Sequence, residues 1–361
     1  MLNNMNLKLS DREWEQFKLA SIFKIENCKC SKVSGLQKGS TPYVGATNRN
    51  NGVMNFVKAD KKLITKGNCL AFICDGEGSV GYTIYKAEDF IGSTTVKVGR
   101  NEKLNKYNAT FITTIADTVR SKYNFGFKRN ETHLKNEILM LPANSKGEPD
   151  FEFMEAFMKQ KEQEKFQEYN NYINQRIKAL KDFKTVEPIE EKEFGEFKLQ
   201  SIFNSTKGDQ NKMTDLKKGN FPLVSAKNGN NGLKDFVTKN NKKVYSNNTL
   251  TLNNDGDGGA GISYYQPFEY LLDSHVTSLN PKSQLSRLSL LFISRCITKQ
   301  RNKFGHGYAL TNNRLTAFKI MLPINDQNEP DYDYMENYMK QLEYKKLNEY
   351  LSKKEKLNAN A

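Results

Sequence analysis

The sequence predicts an α+β chain: two tandem β-rich domains separated by long α-helices that pair as an antiparallel coiled coil. Three observations carry this. The chain is written twice: Leu36 to Val57 and Leu216 to Val237 are identical at 12 of 22 positions, at an offset of 180 residues. Each copy is dominated by short apolar runs broken by Gly and Asn every ten residues or so, a β signature. Each copy is then followed by a long stretch with apolar residues at steps of three and four, a helix with a seam. A repeat this long is a whole domain and not the unit of a solenoid. The boundaries fall at 1–150 for the first domain, 151–192 for a spacer helix and linker, 193–331 for the second domain, and 332–361 for a C-terminal helix.

Each domain opens on the same apolar-aromatic phrase, Trp14 to Phe23 and Phe194 to Phe203. Strands are expected over Pro42–Ala46, Val53–Val57, Cys69–Cys74, Val80–Tyr85 and Thr94–Val98. Ala109–Asp117 and Leu288–Ile297 are longer, apolar-periodic and helical. Ile138–Leu141 and Phe318–Leu322 read as closing strands. Met140-Leu-Pro142 matches Met321-Leu-Pro323 at an offset of 181, so the second copy carries one inserted residue. Pro149-Asp150 and Pro330-Asp331 read as helix starts, since an Asp side chain accepts from exposed first-turn amides. The seam of the spacer helix is Phe166, Tyr169, Ile173, Ile177 and Leu180. That of the last helix is Met335, Met339, Leu342, Leu347 and Leu351. Neither helix is apolar enough to stand alone, and antiparallel pairing buries both seams.

The 361 residues hold 55 Lys+Arg against 41 Asp+Glu, a formal charge of +14. Residues 1–150 carry +8 and residues 193–331 carry +6, so the excess sits on the repeats and not on the helical segments. A basic surface attracts polyanions, of which nucleic acid is the commonest. The five cysteines have no framework spacing and read as reduced thiols, which points to a cytoplasmic protein. No apolar h-region opens the chain, and no run of 18 apolar residues occurs, so neither secretion by that route nor a membrane partner is expected.

Three phrases are candidates for contact with DNA. Asn48-Arg49-Asn50-Asn51-Gly52 answers Asn228-Gly229-Asn230-Asn231-Gly232, with Lys227 just before it. Asn-Gly is turn chemistry in itself, but Asn48, Arg49 and Asn50 exceed what a turn needs. Asn amides pair with adenine edges, and Arg with guanine or phosphate. Lys61 and Lys62, with Lys242 and Lys243, are expected to flank these loops and suit phosphates. The third phrase, Arg120–Arg129 with Gln300–Tyr308 as its partner, interleaves basic and aromatic residues, with Lys122, Tyr123, Asn124, Lys128 and Arg129 as candidates in the first copy and Arg301, Lys303, His306 and Tyr308 in the second. Basic groups grip phosphates while aromatics reach bases; packing of those aromatics on the core is the competing reading.

Asp75-Gly-Glu-Gly and Asp255-Gly-Asp-Gly-Gly lack the Gly-Lys-Ser/Thr of a phosphate loop and the spaced carboxylates of a calcium loop. They read as strand–turn–strand connections. Pro330-Asp331 with Glu343-Tyr-Lys345 fits a nuclease pattern only on paper, because Glu343 and Lys345 fall on different faces of a helix. The three histidines share no motif, so no metal site or Ser–His pair is expected. No S-adenosylmethionine loop and no Asn/Asp-Pro-Pro-Tyr/Phe motif is present. The chain is expected to be non-enzymatic and to bind no cofactor itself. A duplicated scaffold that binds protein or glycan, and a self-contained nuclease, are the competing readings.

With the paired openings, the Asn-Asn-Gly turns, the Asp-Gly-x-Gly turns, the Leu-Pro strands and the Glu-Pro-Asp helix starts, all doubled and in order, the chain resembles the specificity subunit of type I restriction-modification systems. Within that family it is similar to the variant of type IIB systems of the BcgI kind. The resemblance covers nearly the whole chain. It implies that each repeat is a target-recognition domain reading one half of a bipartite, asymmetric site in double-stranded DNA. It also implies that the helices set the half-site spacing and dock DNA methyltransferase subunits, with a restriction nuclease subunit as a further partner. S-adenosylmethionine and adenine methylation are then expected on the partner.

Overall fold

The computed structural model describes residues 6–359 except residues 125, 257, 306 and 307. The chain divides into two units, Met1–Asn171 and Tyr172–Ala361.

In the first unit β1 (Trp14–Lys18), α1 (Leu19–Ile22) and β2 (Lys24–Asn27) follow one another directly. Strands β3 (Lys38–Val44), β4 (Val53–Val57), β5 (Ile64–Thr65), β6 (Cys69–Ile73), β7 (Thr83–Lys86), β8 (Phe90–Gly92) and β9 (Val96–Arg100) come next. Then come α2 (Lys106–Thr118), α3 (Glu131–Lys135), β10 (Ile138–Pro142) and α4 (Phe151–Ala179). β1 pairs antiparallel with β10, Trp14 opposite Pro142 and Lys18 opposite Ile138, so the opening phrase clasps the Leu-Pro phrase. Two four-stranded sheets, β2-β9-β6-β7 and β4-β3-β8-β5, make the body. Of their pairs only β3 with β8 is parallel.

β6 lies between two cores and is buried throughout. Its Leu70 and Phe72 pack with Ala109 and Ile112 of α2 and with Phe153 and Met154 of α4. Its Cys69, Ala71 and Ile73 pack the other way, with Val44, Phe90, Val96 and Val98. A strand covered on both faces has no polar face to keep, which is why it reads as an unbroken apolar run. The expected strand Val80–Tyr85 is shorter, because Gly76, Gly78 and Gly81 all have positive φ and hold a turn up to Tyr82.

The second unit repeats the plan with β11 (Phe194–Lys198), α5 (Leu199–Ile202), β12 (Phe203–Lys207), β13 (Lys218–Val224), β14 (Leu233–Val237), β15 (Thr249–Asn253), β16 (Ser263–Gln266), β17 (Leu271–Leu272), β18 (Val276–Pro281), α6 (Arg287–Thr298), α7 (Asn312–Ala317), β19 (Lys319–Pro323) and α8 (Tyr332–Ala359). β11 pairs with β19, and the sheets are β12-β18-β15-β16 and β14-β13-β17. The offset is 180 at the start of β18 and 181 at the start of α6, which places the residue inserted in the second copy between the start of β18 and α6. The interiors differ in kind. Where β6 offers Cys69, Ala71 and Ile73, β15 offers Thr249, Thr251 and Asn253. Tyr270 Oη lies 2.9 Å from both Thr249 Oγ1 and Ser278 Oγ, and Gln266 Nε2 donates to Thr251 Oγ1 at 3.0 Å. These bonds satisfy buried hydroxyls that would otherwise be costly.

Asp150 and Asp331 cap their helices as expected: the Phe153 and Tyr334 amides donate to them at 2.9 and 2.8 Å. Within the second unit the end of α4 and the linker run antiparallel to α8. Arg176 donates to both oxygens of Glu343 at 2.6 and 2.9 Å, Phe183 meets Tyr344 at 5.5 Å, and the Lys184 amide donates to Asn337 at 2.9 Å. Of the expected seams Ile173, Leu180 and Met335 are buried, whereas Phe166, Tyr169 and Leu342 are exposed, so the pairing does not bury both seams throughout. No described helix is long and apolar enough to cross a membrane.

Candidate nucleic-acid interface

In the first unit three loops distant in sequence converge: residues 45–52, 74–82 and 119–130. The first turns on Asn50, Asn51 and Gly52, all at positive φ. Asn51 Nδ2 donates to the Tyr85 carbonyl at 3.3 Å, so Asn51 is a brace of the turn. Asn48, Arg49 and Asn50 are left exposed. Asn48 Nδ2 donates to the Gly78 carbonyl at 3.3 Å and reaches Tyr82 Oη at 3.5 Å, joining the first loop to the second. The Arg120 guanidinium lies 4.1 Å above the Tyr82 ring, joining the second to the third. Lys128 bonds Asp75 at 2.8 Å and holds that carboxyl below its ordinary range. A cleft of about 440 Å³ lies among them, lined by Glu77, Gly78, Arg120, Ser121, Asn124 and Lys128 with their neighbours.

The second unit builds the same junction with other residues. The Gly229 amide donates to Tyr264 Oη at 2.8 Å, Asn231 Nδ2 donates to the Tyr265 carbonyl at 2.8 Å, and Gln266 Nε2 donates to the Asn231 carbonyl at 3.2 Å. Arg301 Nη2 donates to the Gly258 carbonyl at 3.3 Å. The turn carboxylate Asp255 is met by His275, 2.8 Å away, whose imidazole pKa is raised by that bond. Lys227, Asn228, Asn230, Lys303 and Tyr308 are exposed around the junction.

Lys122, Asn124 and Lys128 are exposed where the sequence places them. His306 lies outside the described residues. Arg129 and Tyr123 are not surface groups. Arg129 is fully buried, donates to Glu137 at 2.5 and 2.9 Å, and bonds the Gly81 and Tyr82 carbonyls. Tyr123 donates to the same carboxylate at 2.6 Å. A desolvated guanidinium with every face occupied has nothing left for a phosphate. The lysine pairs do not flank the Asn loops either. β3 and β4 form a hairpin whose closed end, Val44 opposite Val53, bears the Asn turn, while Lys61 and Lys62 follow Val57 at the open end. One five-residue strand, about 17 Å, separates them, and Lys242 and Lys243 follow Val237 in the same way.

Tyr82 and Arg314 join the site without having been singled out, while Arg120 and Phe127 belong to the basic–aromatic phrase Arg120–Arg129. The offset of 181 pairs Arg120 with Arg301 and Phe127 with Tyr308, and that pairing was the available signal. The nuclease pattern does not assemble: Glu343 is held by Arg176, and Asp331 caps α8 and bonds Lys192 at 3.0 Å. Among the described residues no three His, Cys, Asp or Glu side chains gather in a way that could hold a metal ion. Burial raises the thiols of Cys28 and Cys74 to about 11 and that of Cys69 to about 12.

The type I restriction modification DNA specificity domain family matches this chain twice, over residues 11–174 and 191–351. The specificity subunit S.BcgI of a type II restriction enzyme from Heyndrickxia coagulans is 25% identical over 311 residues, covering 85% of this chain and 87% of that one. The crystal structure of a type I restriction-modification S subunit from M. genitalium superposes with a TM-score of 0.53 at 15% identity, over 98% of this chain and 95% of the other.

Proposed function

The chain belongs to the DNA specificity domain family of type I restriction-modification systems, with two copies of that domain, and from this premise we propose how the copies divide the work. The protein is a DNA sequence-recognition subunit. Each unit reads one half of a bipartite site in double-stranded DNA, through its three-loop junction. Supporting this is the repetition of one scaffold with different side chains at its tip. Arg49 stands where the second unit has Gly229, Asn124 where it has Gly305, and Lys128 where it has Ala309. Similar frames carrying unlike contact groups fit unlike half-sites, since phosphate contacts position a protein while base contacts specify. Asn48, Arg49, Asn50, Asn124, Asn228 and Asn230 are the base-reading candidates; Lys122, Lys128, Lys227, Arg301 and Lys303 are the phosphate-binding ones.

The chain is a non-catalytic subunit in this reading. S-adenosylmethionine belongs to DNA methyltransferase subunits docked on α4 and α8, a nuclease subunit completes a restricting complex, and the assembly works in the cytoplasm. The decisive experiment is a hybrid in which residues 216–323 are replaced by a second copy of residues 36–142. Mapping of methylated bases in cells expressing it with its methyltransferase should show a palindromic site. A methylated motif identical to that of the natural protein would refute the division of labour.

A further inference from the structure

We infer that Phe127 and Tyr308 are the side chains that stack on a nucleobase, one in each half-site. This deepens the DNA-reading role proposed above and rests on it. Both residues leave an aromatic ring in solvent, Phe127 at 45% and Tyr308 at 55% exposure. They occupy equivalent positions, yet their surrounding sequences have little in common.

The construction around each ring is alike, although Phe127 also stacks on Tyr123, 6.0 Å away at 16°. Phe127 exchanges two backbone hydrogen bonds with Asn124, and Tyr308 exchanges two with Gly305. Behind each ring stands a planar side chain from the following helix. The His133 ring lies 4.2 Å from Phe127 at 20°, and the Arg314 guanidinium lies 3.6 Å above Tyr308. Each backing group is tethered to an equivalent carbonyl, His133 Nδ1 to Lys128 at 2.7 Å and Arg314 Nη1 to Ala309 at 2.7 Å. Each of these helices is capped by the side chain just before it, Asn130 or Thr311.

Here two unlike sequences spend a tethered planar partner on holding a ring outward. A ring fixed in advance loses little freedom when it stacks. Lys122 and Lys303, each five residues before its ring, are exposed cations of the same segment. In a duplex each base face is covered by its neighbours, so the ring reaches one by wedging into a base step and partly unstacking it.

The test uses the full chain and two duplexes of equal length, one carrying the methylation-mapped site and one scrambled. Binding is measured for the natural chain and for Phe127→Ala, Tyr308→Ala, Phe127→Trp and Tyr308→Phe across a range of salt concentrations. Each alanine variant should bind the site roughly tenfold or more weakly. The salt slope and scrambled-duplex binding should stay as they were, because no phosphate contact is lost. The two aromatic replacements should bind as the natural chain does. Alanine variants with natural affinity would overturn the inference while leaving DNA reading intact. Equal loss on both duplexes, or failure of Phe127→Trp and Tyr308→Phe as well, would assign the rings to the fold and overturn it too. A natural chain that does not prefer the mapped site would instead break the reading on which the inference stands.

Discussion

A buried guanidinium needs every donor answered, and the first unit surrounds Arg129 with Glu137, Tyr123, Thr83 and two carbonyls. Burial, reinforced by that carboxylate, raises the Tyr123 hydroxyl pKa. At the equivalent positions the second unit has Leu310, Phe318 and Phe304, and the ring of Phe304 meets that of Phe318 at 5.4 Å. The same frame therefore closes either with an ion pair or with hydrocarbon. Removing one partner of a buried pair strands the other, whereas replacing the whole set by apolar residues is near neutral. Arg129→Leu alone should cost about 3–5 kcal/mol. The triple variant Tyr123→Phe, Arg129→Leu, Glu137→Phe should recover most of it. Trp14 is the single tryptophan and lies in the first unit, so its fluorescence in urea follows that unit alone. A triple variant as unstable as Arg129→Leu would refute the equivalence. The sequence suggested a surface role for Arg129 because it ends a basic run; its carboxylate partner, eight residues on, belongs to no motif. The apolar Leu310 at the offset of 181 was the sign that the position faces inward.

Elements with an unbroken pattern were legible: both long helices with their Asp caps, the opening and closing strands, and the helices Lys106–Thr118 and Arg287–Thr298. Short strands were not. β5 and β17 have two residues each and exist through their neighbours, which no local pattern records. The misplacement of Lys61 and Lys62 has the same root, because nearness along the chain says nothing about which end of a hairpin a residue occupies. At the contact of α4 with α8, Arg176 holds the Glu343 carboxyl below its ordinary range by donating to it. A carboxyl whose pKa is lowered on folding stabilises the fold above its unfolded pKa, about 4.3. That contribution fades as pH falls through the lower folded value. Both side chains are one-quarter exposed, so it amounts to about 1 kcal/mol or less. Glu343→Gln should lower stability at pH 7 and be indistinguishable from the natural chain once the carboxyl is protonated in both states. An equal stability difference at pH 7 and at pH 2 would remove the charge from the explanation.

At the scale of the molecule, α4 begins in the core of the first unit, through Phe153 and Met154, and ends in the second, through Ile173. Its 29 residues make a rod of about 43 Å. Inserting four residues near Gln163 adds about 6 Å, close to one turn. If the helices set the half-site spacing, the methylated motif should keep both halves and gain one or two base pairs between them. An active complex with an unchanged gap would show that the helices do not measure it. A continuous helix also rotates whatever follows it by about 100° per added residue. Length and facing cannot be changed separately. If the helices set the spacing, a single inserted residue turns the helix by about 100° while lengthening it by only about 1.5 Å. Mutational drift in target spacing should consequently move by jumps of three or four codons, with the intermediate lengths silent, much as a ratchet holds only at its teeth.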